Sequence, residues 1–392
     1  MTTDGAPAVR VTMLVRNTFT NDTRVEREAR TLTDAGYRVT IVADAGRGLP
    51  ASEVRQRIRV HRIPRRGPHV PGLRFAAHVL RLRRAVMATK PDIVHAHDAD
   101  ALQSAGPAAT GLGVPLVYDS HELWLGRTSR GRSRWYDLLN RAWYWLVERR
   151  YVPRAALVLV ANPGVAPELE RRYGIAGVRI VPNYPVEASD GPARDLRGLT
   201  GDTIPDGAPI VLYLGALMAH RGAEELVAAL ATIPDAHLVC LGAAGPHVSI
   251  VEAEAARHGV SARVHLVPPV PSAEVVPYAR SATIGVSIVQ PASLSYRLAL
   301  PNKLFQYMAA GLPVVASDFP DVRAVVEGSA AGIVVDPTDV GAVAEALRTL
   351  LADPARARAM GDAGRRAIAE RFNWRLAARE LLRGYAPLGA RA

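Results

Sequence analysis
The chain has 392 residues, 49% hydrophobic and 22% charged, a core-forming composition with room for two ordinary domains. One cysteine, Cys240, excludes a disulfide framework, and no apolar run approaches the roughly 20 residues that span a bilayer. The N-terminus lacks the apolar middle of a signal peptide, so a cytoplasmic protein is expected. The net charge of +11 is lopsided: residues 1–185 hold 29 basic and 16 acidic side chains, residues 186–392 hold 19 and 21. The first half should therefore meet something anionic.

Val9–Arg16, apolar and β-branched, reads as the first strand, and a polar turn, Asn17–Asp22, leads into a helix that stops at Gly36. Tyr37–Ala43 is the next strand. Strand-like runs recur at Asp92–Ala96, Pro115–Tyr118, Leu157–Ala161 and Val178–Val181, mostly separated by helix-length segments. That alternation is the mark of βαβ units around a parallel sheet. Residues 186–207, rich in Gly, Pro and Asp, read as a linker. Alternation then restarts with strands at Pro209–Leu214, His237–Leu241, Arg263–Val267, Thr283–Val289, Pro313–Ala316 and Gly332–Val335. The expected fold is α/β: Rossmann-like doubly wound domains at 1–185 and 208–371, then a terminal helix over 372–392.

In such sheets ligands bind beyond the carboxyl ends of the strands, so two facing domains would line one cleft with their loops. The first loop, Arg16–Asp22, has no glycine, which argues against a GxGxxG dehydrogenase, and no GxxxxGK[ST] occurs. Asn21 and Asp22 suit a helix N-cap, and Arg24, one turn in, is a candidate for a phosphate or acceptor oxygen. After PDIVHA comes His97-Asp98-Ala99-Asp100. This DxD reads either as a metal–diphosphate clamp or as capping of a helix beginning near Ala101; with no further ligands nearby, capping is favoured and no metal is expected. His121, just past the strand PLVYD and beside Glu122, is placed to donate to a sugar hydroxyl or move a proton. In the second half Gly215 permits a sharp turn after a strand. Arg221 and Lys303 then lie at helix starts, where cations and free N–H groups suit a diphosphate. Lys303 follows Pro301-Asn302 and is one of two lysines in the chain.

The segment PNKLFQYMAAGLPVVASDFPDVRAVVEG, with NDTRVEREARTLTDAGYRVTIV, YDSHELW, YLGALMAHRG and the terminal FNW helix, resembles the family 4 glycosyltransferases over essentially the whole chain. The resemblance implies a retaining enzyme with the two-domain GT-B fold. Its second domain would hold a nucleotide-sugar donor, its first a hydroxyl acceptor, and its terminal helix would return to the first domain. By motif position Arg221 and Lys303 match the elements around the donor diphosphate, and His121 the histidine near the donor sugar. Gly242, Val267 and Pro268 match the segments near the nucleotide, while Asn183 lies near the hinge. Gly215, Asn302 and Gln306 belong to the same donor set. Asn21, Arg24, His97, Asp98 and Glu122 are left for the acceptor. The family's usual glutamate pair reads Leu298 and Gln306 here, and Ala216 stands where an arginine is common. An amide has one accepting oxygen where a carboxylate has two, so the donor would be held differently.

Three rival readings stand beside this one. A non-hydrolysing nucleotide-sugar epimerase would call for more carboxylates. A catalytically silent nucleotide-sugar-binding protein is suggested by Gln306 and Leu298. Nucleic-acid binding lacks a recognition motif. No cofactor is expected beyond the nucleotide-sugar substrate. Residues 127–151, RTSRGRSRWYDLLNRAWYWLVERRY, have two readings. One is a helix lying on an anionic membrane, which would present a lipid-linked acceptor at the inner face. The other is a helix that packs Trp and Leu into its own domain behind a rim of arginines.

Overall fold
Two parallel sheets, one in each of two units, organise the chain: residues up to Asn183 with those from Ala377 onward, and Tyr184–Leu376. The computed structural model describes residues 8–66, 70–126, 134–185 and 192–389. In the first unit the strands are β1 (Arg10–Leu14), β2 (Arg38–Asp44), β3 (Ser52–Arg55), β4 (Ile58–Ile63), β5 (Ile93–His97), β6 (Leu116–Ser120), β7 (Leu157–Val160) and β8 (Arg179–Ile180). Their order across the sheet is β3-β4-β2-β1-β5-β6-β7-β8. All neighbours run parallel except β3 against β4. Strands β5, β6 and β7 are buried at every position, as expected of a sheet covered on both faces.

The β3–β4 hairpin was not anticipated. Its two turn residues, Gln56 and Arg57, carry φ of 49° and 69°. A turn with positive φ at both central residues normally advertises itself as Asn-Gly or Asp-Gly; Gln-Arg gives no such signal.

Helix α1 (Thr23–Asp34) starts at Asp22, whose carboxylate accepts from Val25 N at 3.1 Å. Helices α2 (Pro71–Ala88), α3 (Asp98–Leu112) and α4 (Arg134–Tyr151) pack side by side, with α3 in the middle. The terminal helix Trp374–Gly389 sends Leu381, Tyr385 and Leu388 into the first unit's interior. There the Tyr385 ring meets Tyr37 edge-on at 5.6 Å.

The second unit holds β9 (Ile210–Leu214), β10 (His237–Leu241), β11 (Val264–Val267), β12 (Ile284–Ser287), β13 (Val314–Ser317) and β14 (Gly332–Val335), all parallel, in the order β11-β10-β9-β12-β13-β14. The expected linker needs correction. Residues 186–191 lie outside the described set, but Leu196 and Ile204 are buried in the second unit's core, and Asp195 caps a short helix, Leu196–Leu199. A Gly/Pro/Asp-rich composition conceals the two apolar anchors that tie this stretch down.

Strand order reverses between β1 and β5 in the first unit and between β9 and β12 in the second. Those switch points are where doubly wound sheets open a crevice, and the candidate side chains gather at them.

Candidate active site
In the first unit the strand ends place a charged group around His121. Asp119, in fully buried β6, needs a partner because an isolated carboxylate in an apolar interior is prohibitively costly. Arg24 supplies it, donating from Nε to Oδ2 at 2.9 Å and from Nη2 to Oδ1 at 2.6 Å. The guanidinium also donates to the Val181 carbonyl. His121 Nε2 lies 2.9 Å from Asp119 Oδ2, and its backbone N–H donates to Asp98 Oδ1 at 2.9 Å. His121 Nδ1 stands 3.5 Å from Asp98 Oδ2, so the ring sits between two carboxylates. His97 Nδ1 completes the group, 3.1 Å from Asp119 Oδ2.

Burial works against a charged imidazole, but Asp98 and Asp119 outweigh it and push His121 up to about 10. At neutral pH His121 is therefore an imidazolium, a donor and a positive charge, and not a general base. Burial raises Asp119, yet Arg24 and then His121 hold it well below the usual carboxylate range. Asp98 takes φ of 66°, a left-handed conformation that costs a non-glycine residue free energy and that the aspartate's contact with His121 helps to hold.

Several expectations change here. Arg24 and His97 are buried, Arg24 held to Asp119 by its guanidinium and His97 by Nδ1 while its Nε2 faces the interior, so neither presents a polar end at the surface. Asp98 and Asp100 do not cap a helix beginning near Ala101: α3 begins at Asp98 itself and has no side-chain cap. Asn21 is exposed, Asp22 takes the capping role, and Glu122 is half-buried, its carbonyl accepting from Ser120 Oγ. Asp119 was missed, although a carboxylate inside an apolar strand was a usable signal.

Glu28, His95, His97 and Asp119 offer four buried ligand atoms within 4.8 Å of one another. Arg24 already fills the cation's role: its Nη2 stands 2.6 Å from Asp119 and 3.1 Å from Glu28. A metal ion there would face a guanidinium at close range, a geometry that favours an arginine–carboxylate core.

In the second unit Gly215 and Gly242 turn the chain after β9 and β10 with φ of 107° and 97°. A Cβ on Gly242 would stand 3.3 Å from the Gly215 backbone, so the two turns stack closely. Gly242 and Ala243 both donate to the Val267 carbonyl. The Val267 side chain is in the core while Pro268 is exposed, so Val267 can offer a ligand only its backbone. Gly222, φ 82°, precedes the helix Ala223–Leu230; any Cβ there would collide with the Ile288 carbonyl at 2.0 Å.

The Arg221 guanidinium lies over the Tyr296 ring at 4.8 Å, and Lys303 Nζ over Tyr213 at 3.8 Å. Lys303, in the first turn of the helix Asn302–Ala310, is buried and its Nζ has no hydrogen-bond partner. Burial first, and then Arg221, bring it down to about 7. Two cations, one stripped of water, thus stand beside each other, and among the described residues no carboxylate pairs with Lys303: a place prepared for negative charge. Tyr307, on the same helix, donates to Val286 O at 3.0 Å and accepts from Leu214 N at 2.8 Å, bridging β9 to β12 at the switch point. Asn302 is exposed and Gln306 half-buried on that helix.

Sequence comparison decides the family. Residues 22–184 match the Glycosyltransferase Family 4 profile and 208–353 the Glycosyl transferases group 1 profile. A D-inositol 3-phosphate glycosyltransferase of Xylanimonas cellulosilytica is 31% identical over 360 residues, spanning 86% of this chain and 84% of that one. The chain belongs to glycosyltransferase family 4. An alpha-maltose-1-phosphate synthase of Mycolicibacterium smegmatis is 29% identical over 83% of this family 4 chain and 89% of its own. Among solved structures, sucrose-phosphate synthase of Thermosynechococcus elongatus superposes with a TM-score of 0.80 at 22% identity, covering 98% of this chain and 100% of that one. Anabaena HepE, solved with UDP-glucose, gives 0.76 at 15% identity over 96% and 99%. These likenesses establish the GT-B fold, and the family match sets this glycosyltransferase apart from the epimerase reading.

Proposed function
We propose that this glycosyltransferase moves a sugar from a nucleotide diphosphate to a hydroxyl acceptor with retention of anomeric configuration and without a divalent metal. The observation that carries the reading is the unpartnered Lys303 ammonium beside Arg221 at the β9–β12 switch point. The pair takes the developing charge of the leaving diphosphate, a task for which many transferases use a metal. His121, already protonated, offers a substrate oxygen its Nδ1–H, the ring donor that Asp119 does not take and that stands a long 3.5 Å from Asp98. The departing diphosphate then accepts the acceptor's proton on the face it leaves. Product NMR should show the donor's anomeric configuration preserved, and excess EDTA should leave the rate unchanged. An inverted product, or loss of activity restored by manganese, would overturn the respective half of the proposal.

The acceptor is presented at an anionic membrane surface in this reading, and the orientation of α4 supports it. An ordinary amphipathic helix hides its apolar side. Here Glu148 is turned inward, accepting from Tyr118 and Tyr173 hydroxyls at 2.8 Å each, while Trp135, Leu138, Leu139, Trp143, Trp145 and Leu146 are exposed. Trp135 is 75% exposed. On α2, across α3, Leu73, Phe75 and Leu80 are exposed as well. Arg74, Arg84, Arg141, Arg149 and Arg150 stand exposed among them, so the face combines interfacial aromatics with the charge that anionic headgroups attract. Among the described residues no helix is long and apolar enough to cross a membrane. The protein should co-sediment with vesicles containing anionic lipid, and salt should reverse it, because screening weakens surface attraction. Trp135→Ala with Trp145→Ala should abolish it. Equal recovery in the supernatant with neutral and anionic vesicles at low salt would end the membrane reading.

A further inference from the structure
Beneath His121 lies a carboxylate that the reaction itself does not use. Glu28 follows Arg24 by one helical turn on α1, so both side chains face the same interior. It is fully buried, and neither of its oxygens has a hydrogen-bond partner. Arg24 Nη2 stands 3.1 Å from Oε1, while the same nitrogen and Nε grip Asp119. His95 Nε2 stands 3.9 Å from Oε2, itself unpartnered, and His95 Nδ1 lies 2.7 Å from the Tyr385 hydroxyl of the terminal helix. One guanidinium is thus shared by two carboxylates, and one of those carboxylates holds His121.

We propose that Glu28 is a positioning residue for His121: as a neutral acid it leaves Arg24 wholly to Asp119, and on losing its proton it draws Arg24 away and loosens the hold on the imidazole. This rests on the reading that His121 serves the transfer. The groups facing Glu28 are Arg24 from α1, Asp119 from β6, His95 and His97 from β5, His121 beyond β6 and Tyr385 from the terminal helix. Of these, Arg24 and His121 favour the carboxylate and Asp119 opposes it. Burial is the largest influence and, with Asp119, raises Glu28 well above the ordinary carboxylate range. The neutral acid therefore prevails at neutral pH, and its loss falls on the alkaline side. A protonated Glu28 can donate to His95 Nε2, which would satisfy two groups now without partners.

The experiment compares wild type with Glu28→Gln, which keeps shape and neutrality but cannot ionise. The rate at saturating donor and acceptor is followed from pH 6 to 10, and the His121 ring is followed by NMR in full-length protein carrying labelled histidine. In the variant the alkaline fall in kcat should move upward by about one pH unit or more, because Glu28 no longer ionises, while the His121 titration should move down, because the lost carboxylate had favoured the imidazolium, with the donor KM unchanged. Superimposable pH profiles and His121 titrations would overturn the proposal, as would a folded variant inactive at every pH. Should Glu28→Gln not fold, Arg24→Lys tests the same link. It keeps the charge but loses the two-pronged grip, so kcat should drop about tenfold and the His121 resonance should shift. Full kcat with an unmoved His121 signal would overturn the proposal there too. If no transfer is detected in wild type but the His121 titration still responds to Glu28→Gln, positioning stands and the transferase role of His121 falls.

Discussion

Lys303→Ala and Arg221→Ala are each expected to lower donor turnover by tens to several hundredfold. Each removes a charge-assisted contact to a diphosphate whose charge grows as the glycosidic bond breaks, which costs about 2–4 kcal/mol of transition-state stabilisation. Full activity in either variant would remove that residue from the site. The two differ in a way that calorimetry can read. Lys303 in the free protein titrates at about 7, because burial and Arg221 both disfavour its charge. A bound diphosphate reverses that preference. Donor binding near pH 8 should therefore take up close to one proton, and near pH 6, where Lys303 is already charged, almost none. Apparent affinity should fall as pH rises above 7, by up to about tenfold per pH unit. Arg221→Ala lifts one of the two influences holding Lys303 down, so its proton uptake at pH 8 should shrink. Heats that do not vary with the buffer's ionisation enthalpy at pH 8 would contradict this account of Lys303.

His121→Ala should cost about 10²–10³ in kcat, the usual loss for a donor aimed at developing charge. Asp98→Ala tests the arrangement behind it. Asp98 holds both the backbone N–H and the ring side of His121, and it is one of the two carboxylates that keep the imidazole charged. Without it the ring loses orientation and its titration should move down toward neutrality. The variant should be slower at every pH, and its rate should fall with rising pH earlier than that of wild type. Equal slowing across the pH range would assign Asp98 a purely geometric role. An unchanged rate would remove it from the site.

The regular elements were legible because their signals are local. His237–Leu241 and Gly332–Val335 begin and end where apolar runs and turn residues say they should. The hairpin Ser52–Ile63 was not legible, because its turn uses Gln56 and Arg57 in a conformation neither residue advertises. Within the site, Arg221, Lys303 and His121 were readable as cations or donors at strand ends and helix starts. Arg24 was misjudged for a definite reason. An arginine near a helix start reads as free for ligand, and only the fold reveals that β6 delivers Asp119 against it. Tyr307, Glu28 and Tyr385 were invisible, since their partners lie 93, 67 and 290 residues away in the chain. The outward face of α4 was undecidable from periodicity, because an amphipathic pattern does not say which side is covered.

The return of the last helix to the first unit has a consequence for how the protein is made. By the time a ribosome reaches Trp374, the segment up to Asn183 has long been synthesised, yet it still lacks Leu381, Tyr385 and Leu388. Its interior stays open along β5, with His95 Nδ1 lacking its Tyr385 partner, until the last helix has emerged. Units that close through such distant contacts fold slowly and expose apolar surface meanwhile. Nascent chains stalled once Leu376 has cleared the ribosome should therefore be protease-sensitive in their first unit while the second, contiguous from Tyr184 to Leu376, already resists.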